Sequence, residues 1–298
     1  THVECRACGW VAQCPACHVS LVLHREKAGP FLHCHTCDHR EPLSEKCPKC
    51  RGEVLKMSGR GTQRVAADLT ALFPSARLFR WDRDAVRGRQ GHEQAYRDAL
   101  SGKIDIIVGT QMIAQGHDFP NLTLVGVLDA DRSLSFPDFR AAERTFQLLM
   151  QVAGRAGRSD RPGEVIIQTS SPDHYALQAV LERNYESFAQ HELSYRREAA
   201  YPPFTRVVHA VVRARAESGA ESAAEQFVRW MQSHVPAVEG DVLGPAPAFH
   251  RMKAGWAQWQ AVIKAPLSAM DHWIRLARSF TPPAGTTLHL DVDPETMA

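Results

Sequence analysis

All eight cysteines of this 298-residue chain lie between Cys5 and Cys50, as four CxxC pairs: Cys5/Cys8, Cys14/Cys17, Cys34/Cys37 and Cys47/Cys50. A CxxC sets two thiolates on one tight knuckle at a separation that a tetrahedral metal accepts, and two such pairs complete a four-cysteine site. Eight cysteines therefore predict two sites, and sulfur-only donors predict two Zn2+. Gly9, Pro15, Pro48 and Gly52 stand beside the pairs and suit knuckle turns whose backbone amides hydrogen-bond the sulfurs. Disulfides compete with this reading, but a chain without a secretion signal keeps its thiols reduced. Iron in a rubredoxin-like site lacks any other redox feature nearby. His2, His18, His24, His33, His35 and His39 share the segment and read as surface or supporting residues, because the cysteines already fill two sites. Neighbouring, crossed and nested pairings are all open to four knuckles. The short segments Arg6–Pro15 and Glu41–Pro48 favour nesting, with Cys5, Cys8, Cys47 and Cys50 outside and Cys14, Cys17, Cys34 and Cys37 inside.

Two further segments carry chemistry. In GTQMIAQGHDFPNLTLVGVLDAD, Gly109 to Asp131, a strand ends in Gly-Thr and Gly116-His117-Asp118 precedes another strand. Ligands bind at the carboxyl ends of parallel strands, where glycines let a phosphate approach the backbone and Asp118 can accept from a ribose hydroxyl. Turn glycines alone would give the same words. In QVAGRAGR, Gln151, Arg155 and Arg158 fall on one helical stripe while Gly154 and Gly157 clear space beside it. Paired guanidinium forks on a stripped surface suit a triphosphate, holding its oxygens bidentately and offsetting the charge that develops in phosphoryl transfer. The bland alternative is a solvated basic face.

These segments need elements to position them. Gly59-Arg60-Gly61-Thr62 opens a helix with Val65, Leu69, Leu72 and Phe73 at helical spacing, and Thr62 suits its cap. Apolar runs at Arg77–Trp81, Ile104–Val108, Leu122–Leu128 and Val165–Gln168 predict buried strands, separated by helices at His92–Leu100 and Glu143–Ala153. That alternation is α/β with a parallel sheet. Pro202-Pro203 marks a change of pattern. Beyond it the order is strand (Arg206–Arg213), helix (Ala220–Val235), strand (Asp241–Phe249), strand (Gln258–Ala265), helix (Leu267–Phe280) and strand (Leu288–Val292). Ala224, Phe227, Met231 and Val235 face inward from the first helix, and Met270, Trp273, Ile274 and Ala277 from the second. A βαββαβ order predicts a small α+β ferredoxin-like sandwich. The division is therefore 1–56 for the cysteine module, 57–198 for the α/β lobe and 199–298 for the last unit.

A net charge of +2, 44% hydrophobic and 23% charged residues exclude disorder, collagen and coiled coil. No apolar run approaches the roughly 20 residues of a bilayer span, so the expectation is a soluble, intracellular protein. A near-neutral balance means that nucleic-acid binding must rest on local patches.

GTQMIAQGHDF and QVAGRAGR resemble motifs V and VI of superfamily 2 helicases. LFPSAR, RWDRDAV, DADRSLSFPDFRAAERTFQLLMQ and GEVIIQTSSPDH, together with VLGPAPAFHRMKAGWAQWQ, LHLDVDP and the four CxxC pairs, narrow the resemblance to the primosomal replication-restart helicases. It runs from the first cysteine to the last residues. The resemblance implies a double zinc-ribbon-like module, a RecA-like second helicase lobe and a C-terminal domain, within an ATP-driven 3′→5′ DNA helicase acting at abandoned forks. It also implies the nested cysteine pairing. Arg155 and Arg158 become arginine fingers supported by Gln151, Gly116 and Asp118 line the nucleotide, and Gly61-Thr62 and Thr110 contact DNA phosphates. The hairpin of Arg251, Lys253, Trp256 and Trp259 becomes a further DNA contact, expected to be weak because Trp256-Ala257-Gln258-Trp259 lacks the family's arginines. Implied partners are single-stranded and forked DNA, single-stranded DNA-binding protein, and other primosome and helicase-loading proteins, met by a monomer in the bacterial cytoplasm and nucleoid, without a membrane.

No GxxxxGK[ST] occurs, since Gly102-Lys103-Ile104 has the wrong follower, and no DExH box holds Mg2+. The expectation is a C-terminal portion, beginning at Thr1, that binds DNA modestly but lacks the lobe that cradles ATP and Mg2+. The alternative function is a zinc-dependent module that docks DNA or protein without a motor.

Overall fold

The computed structural model describes the chain except residues 1–2, 6, 9, 16–19, 27–28, 35–37, 53, 57–61, 83–85, 87, 111–112, 114–118, 155–161, 236–239 and 298. In the cysteine module, β1 (Val3–Cys5) pairs antiparallel with β5 (Val54–Lys56), so the two ends of the segment meet. Between them β2 (Val22–Glu26), β3 (Gly29–His33) and β4 (Arg40–Pro42) form an antiparallel meander. The register Cys5↔Val54 brings the first knuckle beside the last, which is the geometry that nesting requires.

The α/β segment has two parallel pairs. Strand β6 (Leu78–Trp81) pairs with β7 (Ile106–Gly109), flanked by α1 (Thr62–Leu72) and α2 (Gly88–Leu100). Strand β8 (Leu124–Val127) pairs with β9 (Glu164–Ile167), with α3 (Asp131–Leu134) and α4 (Ala141–Ala153) between them in the chain. Helices α5 (Tyr175–Leu181) and α6 (Tyr185–Glu198) follow. Ladder hydrogen bonds do not join the two pairs among the described residues. The strands are also less buried than their apolar runs predict: Leu124 and Ile166 are each 54% exposed, because only the other face of this pair, through Val127 and Ile167, packs against the helical cluster of Phe146, Leu149, Leu177 and Phe188. Likewise the helical stripe on α1 is only partly covered, with Val65 and Leu69 half-buried and Leu72 and Phe73 exposed. Thr62 is the first residue of α1, and its hydroxyl donates to Asp82 at 2.7 Å.

The last unit has the order β10 (Arg206–Ala214), α7 (Glu217–His234), β11 (Asp241–Lys253), β12 (Trp256–Ala265), α8 (Leu267–Ser279), β13 (Thr286–Val292). Its strands form one antiparallel sheet in the order β11-β12-β10-β13. Alternate residues of β10 separate two cores. Val208 and Ala210 face Phe227, Met231, Met270 and Trp273 of the helices, as the periodicity of α7 and α8 predicts. Val207 instead joins Leu243, Val262 and Met297 in a core shared with Val3, Leu21, Leu32, Cys14 and Cys34 of the cysteine module. The module and the C-terminal sheet thus exclude water from one another.

Candidate functional site

Cys5, Cys8, Cys47 and Cys50 converge, with all four sulfurs within 4.8 Å of one another. Cys5 and Cys50 lie 3.5 Å apart and Cys8 and Cys47 3.7 Å. A tetrahedron with metal–sulfur bonds of about 2.3 Å has edges of about 3.8 Å, which these two separations match, so the set could hold a metal ion. Local backbone makes the knuckle: Cys47 donates its amide to Gly52 at 2.7 Å, Arg51 returns to the Cys47 carbonyl at 2.8 Å, and Arg51 adopts φ 61°. The Gly52 amide also donates to the Cys50 sulfur at 3.4 Å. Crowding splits the thiols electrostatically. Burial alone would raise Cys5, but the Cys8 and Ala7 amides and the Cys50 sulfur hold it at about 7. The Gly52 amide would lower Cys50, but proton sharing with Cys8 and Cys5 pushes it up to about 12. A cation is what allows four such sulfurs to be anionic together. Of the inner set, Cys14 and Cys34 are buried in the common core, and Cys17 and Cys37 lie outside the described residues.

In the α/β segment, the strand ends are set by packing around Trp81. Its indole is 1% exposed, donates to His92 at 2.8 Å and meets Phe79 and Phe119 edge-on. Gly109 ends β7 directly against the Trp81 carbonyl and the Ile113 side chain, where any Cβ would collide. Thr110 follows it, exposed. Across the other pair, Asp131 is 2% exposed and accepts from the Thr169 hydroxyl at 2.7 Å and the Ser170 amide at 2.9 Å, locking the ends of β8 and β9 together. Asp131 was not among the expected site residues, although the DAD word at a strand end is a signal for such a lock. Gln151 is exposed on the last turn of α4. Gly61, Gly116, Asp118, Arg155 and Arg158 lie outside the described residues.

The C-terminal hairpin turns at Ala254-Gly255, both at positive φ (51° and 77°). Arg251 and Lys253 are exposed there, with Arg251 pairing to Glu217 at 2.9 Å. Trp256 is half-buried beneath Arg215, whose guanidinium lies 4.1 Å over the ring and reaches the Gly255 carbonyl at 3.5 Å. Trp259 corrects the sequence reading. It is 5% exposed and packs with Val212, Ala220, Ala224 and Ala257 under α7, so its ring faces the core rather than a base. Arg215, overlooked in the sequence, replaces it at the hairpin; alternation along β10 puts Arg213 and Arg215 on the same side.

Residues 197–295 match the family described as the Primosomal protein N C-terminal domain, and residues 85–160 match the Helicase conserved C-terminal domain. Among similar proteins, replication restart protein PriA of Bacillus subtilis is 46% identical over 88% of this chain and 32% of its own length. Its Synechocystis counterpart is 40% identical over 99% of this chain and 36% of its own, and that of Treponema pallidum 40% identical over 98% and 44%. The chain thus spans between about a third and 44% of the length of these relatives.

Proposed function

Because this chain belongs to the PriA family of replication restart proteins, we propose that it is the C-terminal part of an ATP-driven 3′→5′ DNA helicase. In this reading it binds stalled or abandoned forks and initiates primosome assembly. The carrying observation is that helix α4 presents Gln151 on the turn leading directly into GRAGR, within a segment matching a helicase C-terminal domain. Arg155 and Arg158 then reach a γ-phosphate, supported by Gln151, while Gly116 and Asp118 line the nucleotide. The cradle for ATP and Mg2+ comes from outside this sequence, so the chain alone hydrolyses no ATP.

We read the three units as 1–56, a pair of zinc ribbons with two Zn2+; 57–198, a RecA-like second lobe; and 199–298, a ferredoxin-like sandwich, the last on its strand order. DNA contacts fall to Gly61, Thr62, Thr110, Arg251, Lys253 and Trp256, with Arg215 added. Single-stranded DNA-binding protein and helicase-loading proteins are its partners, and the bacterial cytoplasm and nucleoid its place. A monomer suffices. Among the described residues no helix is long and apolar enough to cross a membrane.

The test is ATP turnover by the complete gene product with fork DNA. Arg155→Ala should lower it by about 10³-fold or more while leaving DNA affinity nearly unchanged. Turnover within a few-fold of wild type would return the stripe to a solvated face, and absent turnover with intact DNA binding would favour a docking module.

A further inference from the structure

Helix α4 carries Gln151 at one end, and its other end is tied to the last residues of the chain. The Asp138 carboxylate is fully buried. One oxygen accepts from the Arg140 amide at 3.0 Å; the other accepts from the Met297 amide at 3.2 Å and pairs with Arg144 at 3.2 Å. Arg140 donates to the Pro294 carbonyl at 2.8 Å, and Arg144 donates to the Glu295 carbonyl. Met297 is 6% exposed in the core that holds Phe139, Tyr201 and Val207. A buried carboxylate persists only where hydrogen bonds and opposite charge satisfy it, and here the hydrogen-bond and ion-pair partners among the described residues come from the base of α4 and from the C-terminal segment, with His209 of β10 close enough to interact electrostatically. A second tie lies alongside: Arg196 pairs with Glu143 of α4 at 2.7 Å and donates to the Pro202 carbonyl at 3.3 Å.

We propose that Asp138 is a positioning residue: with Arg140 and Arg144 it straps segment 294–297 to the base of α4, fixing where that helix presents Gln151 to a nucleotide. The inference rests on the nucleotide reading above. At about 1.5 Å per residue the helix is about 20 Å long, so a tilt of about 5° at its base moves its far end by about 1.7 Å. Misplacement on the scale of 1 Å costs about 10²-fold in rate where reacting groups must be aligned. The strap therefore makes the C-terminal unit a fixed support for the nucleotide-facing end of the lobe.

Asp138→Asn in the complete gene product should lower kcat for DNA-stimulated ATP hydrolysis by about tenfold or more, with KM for ATP within about twofold and single-strand affinity unchanged. Asp138→Glu should restore kcat to within about threefold of wild type, and deletion of residues 294–298 should reproduce the loss. A kcat for Asp138→Asn within about twofold of wild type, a loss confined to KM, or no rescue by glutamate overturns the proposal. If Asp138→Asn does not fold, Arg144→Gln, which leaves the two amide contacts of Asp138 in place, is judged by the same criteria. Hydrogen exchange in the present chain separates the two layers. Amides of 146–151 should exchange about tenfold faster in Asp138→Asn while those of β12 are unchanged, and unaltered exchange overturns the strap whatever the kinetics. Absence of ATP turnover in the wild-type gene product would instead overturn the helicase reading and leave the strap to be decided by exchange.

Discussion

His174 offers a pH dependence whose sign and size follow from its surroundings. It is the N-cap of α5, where its Nδ1 accepts from the Ala176 amide at 3.2 Å while the ring stacks on Tyr175. Burial, only partly offset by the Asp131 carboxylate, lowers the imidazole from 6.5 to about 4. Protonation would place an unsolvated cation there and remove the capping acceptor. The unfolded chain takes up its proton near 6.5 and the folded chain only near 4, so this contribution to stability is complete above pH 6.5 and is lost as pH falls toward 4. The full loss is about 3 kcal/mol, of which about 1.4 kcal/mol is already felt at pH 5.5. His174→Asn keeps a capping oxygen and removes the titration. Denaturant midpoints of both proteins at pH 7.5 and pH 5.5 measure the difference, because cysteine and carboxylate titrations common to both cancel. Wild type should lose about 1.4 kcal/mol more than the variant between the two pH values. Parallel pH profiles, or a variant that is the more acid-sensitive, would refute the argument.

Two further outcomes follow from the packing. Gly109→Ala forces a Cβ into the Trp81 carbonyl and Ile113, so it should destabilise the protein by about 1–3 kcal/mol, read as a lowered denaturant midpoint; a midpoint equal to wild type would show that β7 can shift aside. Metal analysis should give two Zn2+ per chain, and because a structural zinc contributes about 10 kcal/mol or more of binding free energy, chelation should unfold the cysteine module. Through the shared core of Leu32, Cys34, Val207 and Val262 it should also lower the melting temperature of the C-terminal sheet, and an unmoved sheet transition would mean that the two units are independent.

The last unit was the most legible because its signals are strong: short strand segments at β10 and β12, which the structure buries on both faces, and a regular apolar stripe on α7 and α8, with element ends within three residues of those expected. The outer cysteine set was legible for a different reason, since knuckle spacing constrains geometry before any fold is known. Helix α6 went unread because its inward face is charged. Glu192 and Arg196 are both buried, joined to each other at 2.7 Å and satisfied by the Tyr175 hydroxyl at 2.5 Å and by Glu143, and a buried ion network leaves no apolar period to find. Trp259 failed in the opposite sense: adjacency to the hairpin suggested a stacking surface, whereas alternation puts it on the helix side of β12, opposite to Trp256 and Gln258. The same rule would have identified Arg215 beside Trp256. Asp138 was invisible for a deeper reason, since Arg144 alone among its partners is a side chain nearby in sequence, and Met297, whose amide completes the set, lies 159 residues along the chain. Polar residues that build the joints between units are legible only once those units have been placed, and so the outer cysteine set could be predicted from spacing whereas the carboxylate at the base of α4 could not.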